Sequence, residues 1–85
     1  MDYEEAMDII AREDLGRYKR YTFNGSGITD NQIGIREVED GWQVFCTSER
    51  GGVEVIETHK NKGDAISHMI KGLRAEKKMA QMGWH

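Results

Sequence analysis

Three runs of alternating character follow one another with only short turns between them: QIGIREV at 32–38, WQVFCT at 42–47 and VEVIETH at 53–59. In the first, Ile33 and Ile35 alternate with Gln32, Gly34 and Arg36, the period of a half-buried strand. Glu39, Asp40 and Gly41 supply turn chemistry before the second run, and SERGG at 48–52 does so before the third. Strands joined this closely pair antiparallel, so 32–59 is expected to form a three-stranded meander. Alternation turns Trp42, Val44 and Cys46 toward the core and Gln43, Phe45 and Thr47 away from it.

Two helices are expected to flank the meander. Asp2 followed by Glu5 is an N-cap with an acid at the third helical position, and Tyr3, Ala6, Met7 and Ile10 recur at helical spacing. Gly16 stands where a left-handed C-terminal cap is commonly placed, which ends this helix near Leu15. YKRYTF at 18–23 is rich in β-formers, and NGSG at 24–27 breaks the strand, which is expected to join the same sheet. Asn61 then caps a final helix beginning near Lys62, with Asp64 in its first turn. Ile66, Met69, Ile70, Leu73 and Ala80 fall on one arc of that helix, and Lys77 snorkels at its edge. The expected fold is α+β, a four-stranded antiparallel sheet with the N- and C-terminal helices on one face, in the order αββββα. Its core would hold Ile33, Ile35, Trp42, Val44, Ile66, Met69, Ile70 and Leu73.

With 85 residues and no proline or low-complexity linker, residues 1–85 are expected to form a single domain. No apolar run approaches the roughly 20 residues that span a bilayer, and MDYEEAMDII carries acids where a signal peptide has a basic region. The expected compartment is the cytoplasm, with no membrane contact. Twelve basic against fifteen acidic residues give a formal charge of −3. That argues against nucleic acid as a partner, because phosphate binding rests on clustered Lys and Arg; RYKR at 17–20 is the main exception.

No catalytic, cofactor or metal site is expected. Glu49 and Arg50 sit in a turn with Gly51 and Gly52, where a neighbouring arginine lowers a carboxyl pKa rather than raising it for acid catalysis. Cys46, alone of its kind, reads as a small buried hydrophobe. The three histidines show no paired ligand spacing: His59 ends a strand, His68 lies opposite the apolar arc of the last helix, and His85 is terminal. The glycine-bearing loop NGSGITD fits neither a phosphate loop nor a calcium loop.

What remains is surface. With both helices on one face of the sheet, Phe45 and Ile56 would be exposed on the other, among Gln43, Thr47, Glu54 and Thr58, as an apolar anchor ringed by polar groups. Glu37, Glu39 and Asp40 at one turn, Glu49 at the next, and Glu54 and Glu57 on the last strand would add carboxylates for a basic partner. A second, weaker apolar stripe, Ala75, Met79 and Met82, runs off the core arc of the last helix.

The element order, with W-x-V in a central strand (Trp42, Val44), E-R-G at the next turn (Glu49, Arg50, Gly51) and Ala65 opening the last helix, resembles small immunity proteins of bacterial polymorphic-toxin and contact-dependent inhibition systems. The likeness spans roughly 2–74; Gly63 and the tail EKKMAQMGWH depart from it. It implies a protein without enzymatic activity or cofactor that binds one cognate toxin domain, commonly a nuclease, and blocks its active site or its access to substrate. The outline is also similar to that of double-stranded RNA-binding domains. Those grip phosphates with lysines at the start of the last helix, which here reads NKGDAISH, and the Lys77–Lys78 pair lies near its end.

Overall fold

A computed structural model describes residues 1–25, 29–49 and 52–83. Helix α1 (Tyr3–Glu13) is followed by a 3-10 turn (Leu15–Arg17), strands β1 (Arg20–Thr22), β2 (Gln32–Val38), β3 (Gly41–Thr47) and β4 (Val53–His59), and helix α2 (Lys62–Gln81). The order αββββα and the α+β class are as the sequence predicts. Both N-caps form: Asp2 Oδ1 accepts from the Glu5 N–H at 2.7 Å, and Asn61 Oδ1 from the Asp64 N–H at 2.8 Å. The C-cap of α1 is not Gly16. Asp14 takes the left-handed conformation at φ 55°, and its N–H bonds back to the Ile10 and Ala11 carbonyls. Aspartate tolerates this region better than most residues, so the helix ends at Glu13, two residues before the position a glycine rule gives.

The sheet runs β1-β2-β3-β4, and it is mixed rather than wholly antiparallel. β2, β3 and β4 form the antiparallel meander, but β1 pairs parallel to β2, with Arg20 opposite Gln32 and Thr22 opposite Gly34. A parallel neighbour needs a crossover instead of a hairpin. Where that connection is described, it meets the sheet on the face away from the helices. Gly25 lies against Arg36 on that face, and Thr29 sits over the strand ends, its carbonyl accepting from Thr47 Oγ1 at 2.5 Å and its N–H donating to Gln32 Oε1 at 3.1 Å. Gln32 completes the ring by donating its N–H to Thr47 Oγ1 at 2.9 Å, so two buried polar side chains are satisfied.

Beneath this crossover the outer face has a small core of its own. Phe45 is fully buried there, which corrects the expectation that it is an exposed anchor. It stands opposite Gly34, where an added Cβ would lie 2.9 Å from Phe45 Cζ and would also run into Thr22 Cγ2. The Arg36 guanidinium lies over the ring, 5.2 Å from its centroid, and Arg36 Nε donates to Gln43 Oε1 at 2.9 Å, which holds it there.

The main core lies between sheet and helices. Ile33, Ile35 and Val44 meet Ala65, Ile66, Met69, Ile70 and Leu73 of α2, and Ala6, Ile9 and Ile10 of α1 close it with Leu15. Seven of the eight expected core residues are buried; Trp42 packs at the margin, partly exposed, with Lys62 Nζ 5.1 Å from its ring centre. Cys46, opposite Ile33, is half-buried on the helix side. The end of α1 is fastened to α2 by Arg74, whose Nε and Nη2 donate to the two Glu13 oxygens at 3.0 and 2.6 Å. Lys77 Nζ donates to the Glu13 carbonyl at 2.7 Å, satisfying one of the free carbonyls of the helix end.

Candidate functional site

The acidic residues proposed from sequence do not gather on one surface. Glu39 and Asp40 lie at the β2–β3 turn and Glu49 at the β3–β4 turn, at opposite ends of a seven-residue strand about 20 Å long. Glu37 stands on the helix side opposite Trp42. All three turn acids and Glu37 are exposed, but the Phe45 that was to centre them is buried. Ser48 N–H closes the second turn on the Gly52 carbonyl at 3.1 Å; Arg50 and Gly51 lie outside the described residues.

The apolar surface is on β4 instead. This strand ends the sheet, so one of its edges has no neighbour, and it is exposed over nearly its whole length. Val53, Val55 and Ile56 are 43, 47 and 46 % exposed, with Glu54 and Glu57 between and beside them. Ile56 therefore stands in the open as expected, but its neighbours differ. The register shifts at Val44/Phe45: Phe45 faces Val55, whereas Val44 faces Glu57, which leaves Ile56 as an extra residue. A bulge of this kind re-aims the side chains beyond it. Val53 and Val55 share the outer face with Thr47 and Phe45; Glu54 goes with Cys46 to the helix side; and past Ile56 the alternation is inverted, so Glu57 and His59 accompany Val44 and Trp42 toward the helices.

That inversion assembles a cluster for which the sequence has no motif. His59 Nε2 lies 2.9 Å from His68 Nδ1 on α2, and Glu57 Oε2 lies 3.0 Å from the first and 3.4 Å from the second. His68, away from the apolar arc, is nonetheless only 28 % exposed at its side chain and His59 21 %, in an open cleft of about 510 Å³ between β4 and α2. Ser67 and Lys71 complete the walls on the helix side. The two imidazole planes are almost perpendicular at 89°. Among the described residues these three are a group whose donor atoms could hold a metal ion. The separation of ligands, two on a strand and one nine residues later on a helix, is why spacing rules pass over it.

The basic residues are largely spent within the fold. In the run 17–20, Arg17 pairs with Asp14, Lys19 with Glu76 at 3.2 Å, and Arg20 with Asp30 at 2.8 Å. Arg74 holds Glu13, and this hydrogen-bonded pairing lowers the Glu13 carboxyl below its ordinary pKa while raising that of Arg74. No helix among the described residues is long and apolar enough to cross a membrane. Comparison with protein-family models, with curated proteins and with solved structures found no match to this chain.

Proposed function

We propose that this protein is a binding module without enzymatic activity that docks a partner protein along the free edge of β4. The single observation that carries this is β4 itself, a seven-residue edge strand with three half-exposed aliphatic side chains, Val53, Val55 and Ile56. An edge this long and apolar is a template for strand addition, in which main-chain hydrogen bonds supply affinity and alternate side chains supply specificity. Glu49 and Glu54 near it favour a basic partner, as does the formal charge of −3. The pairing of Arg17, Lys19 and Arg20 with acids of the same chain offsets their charge and disfavours nucleic acid. Taken with the sequence resemblance, the partner is a cognate toxin domain, a nuclease whose substrate path is blocked, and the protein acts in the cytoplasm of the producing cell.

The test is a titration against the product of an adjacent toxin gene, with Val55→Lys on the free edge as the probe. Placing lysine on an edge is how natural sheets prevent pairing, so this variant should bind at least about tenfold more weakly while keeping its fold. Charge reversal at Glu54 should slow association at low salt and do less at high salt. Binding untouched by Val55→Lys would remove β4 as the docking site, and turnover of a nucleic acid by the protein alone would refute the non-enzymatic reading.

A further inference from the structure

The proposal concerns the Glu57, His59 and His68 cluster and does not depend on a partner. Three donor atoms, one carboxylate oxygen and two imidazole nitrogens, lie 2.9, 3.0 and 3.4 Å apart. Hydrogen bonding cannot satisfy all three contacts at once. Each ring nitrogen has one in-plane direction, holding either a proton or a lone pair. If one ring donates to the other, Glu57 faces nitrogens with no proton directed at it. If both donate to Glu57, two N–H groups confront each other 2.9 Å apart. A cation at the centre satisfies every pair.

The spacing also suits an ion. Tetrahedral zinc with bonds of about 2.0–2.1 Å holds its ligand atoms roughly 3.3 Å apart, within a few tenths of an ångström of the three distances here. From these observations we infer that the protein binds one divalent transition-metal ion, zinc by chemistry, through Glu57 Oε2, His59 Nε2 and His68 Nδ1. Two imidazoles and one carboxylate select zinc and its transition-metal neighbours over magnesium and calcium, which prefer all-oxygen shells. The cleft leaves the fourth position to water, and the partial exposure of all three side chains provides the ion's path in.

The architecture assigns the ion a role. Two ligands come from the edge strand β4, just beyond its bulge, and the third from α2, so the ion ties the least covered strand of the sheet to the helix that packs across it. Because the ligands are brought together by folding, binding stabilises the native state and releases protons from the rings when they are protonated.

The experiment is a titration of the metal-free full chain with Co²⁺, whose visible spectrum reports coordination number, followed by displacement with Zn²⁺. One equivalent should give the intense bands of a four-coordinate site, and zinc should abolish them and raise Tm. His59→Ala and His68→Ala should each weaken binding by more than the roughly 10–100-fold that loss of an outer-shell partner costs, and Glu57→Gln by at least about tenfold. His85→Ala should leave binding unchanged. NMR of the unaltered protein keeps the test independent of variant folding: zinc should move the ring signals of His59 and His68 and not those of His85. Absence of a cobalt spectrum with metal in large excess, binding that survives loss of either His59 or His68, or a zinc response confined to His85 would overturn the assignment.

Discussion

Phe45→Ala is the substitution for which sequence pattern and structure disagree most. On an open face the change would fall within about 0.5 kcal/mol of neutral, as surface substitutions do. In the structure the ring is fully buried between Gly34, Thr22 and the Arg36 guanidinium. A buried phenylalanine removes at least about 150 Å² from water, worth about 4 kcal/mol at 25 cal/mol per Å². Its surroundings reduce the loss, because Arg36 is long enough to settle into the space and the neighbours are not a deep hydrocarbon wall. The expected destabilisation is therefore about 3 kcal/mol, the lower end for Phe→Ala in a core. For a small domain with a urea m-value of about 1 kcal/mol/M, the midpoint should fall by about 3 M. Phe45→Leu, which fills most of the volume, should cost under about 1.5 kcal/mol and remain measurable if the alanine variant is too unstable. Gly34→Ala supplies a cross-check: its Cβ meets both Phe45 and Thr22, so removing the ring relieves one of two obstructions and the double variant should be less destabilised than the sum. A midpoint for Phe45→Ala within about 0.5 M of the parent, with the same slope, would refute the covered outer face.

Gly41→Ala should destabilise by at least about 2 kcal/mol in the same assay, because φ is +143° and an added Cβ would collide with the His59 carbonyl; a midpoint like the parent's would show that the turn relaxes. Arg74→Gln tests the Glu13 pair by pH: the folded-state carboxyl lies below its ordinary value, so its contribution is present at neutral pH and is lost as pH falls through that lowered value. The stability gap between parent and variant, modest because both side chains are partly exposed, should thus close on acidification; a gap that persists or widens in acid would contradict the pairing. Trp42→Ala should cost less than the about 3 kcal/mol of a buried aromatic, since the ring sits at the core margin, and a larger loss by thermal or urea denaturation would place it inside.

The helices and the meander were legible because their signals are local. Caps at Asp2 and Asn61, the arc from Ile66 to Leu73, and turn residues at 39–41 each act over a few positions. What was not legible depends on contacts far apart in the chain. The parallel direction of β1 goes with contacts made by the connection that follows it: the Thr29 N–H donates to Gln32 Oε1 and the Thr29 carbonyl accepts from Thr47 Oγ1. The burial of Phe45 depends on Gly34, Thr22 and Arg36, which reach it from other strands. On β4 the alternation that puts Glu54, Ile56 and Thr58 outward misassigns Val53, Glu54 and Val55, because one surplus residue at Ile56 inverts the strand before it relative to the part beyond. The histidine cluster stayed hidden for another reason: Glu57 and His59 take the helix side that this alternation implies, but His68, placed opposite the apolar arc by helical spacing, gave no sign of reaching them.

The two margins of the sheet have unequal valence. β1 offers three residues to a newcomer and β4 offers seven. A pairing of two copies through β4 would be symmetric, would use the one long free edge among the described residues of each, and would close at two. Head-to-tail growth into fibres would have to seat a seven-residue strand on a three-residue one at every step, and it stops for want of main-chain partners.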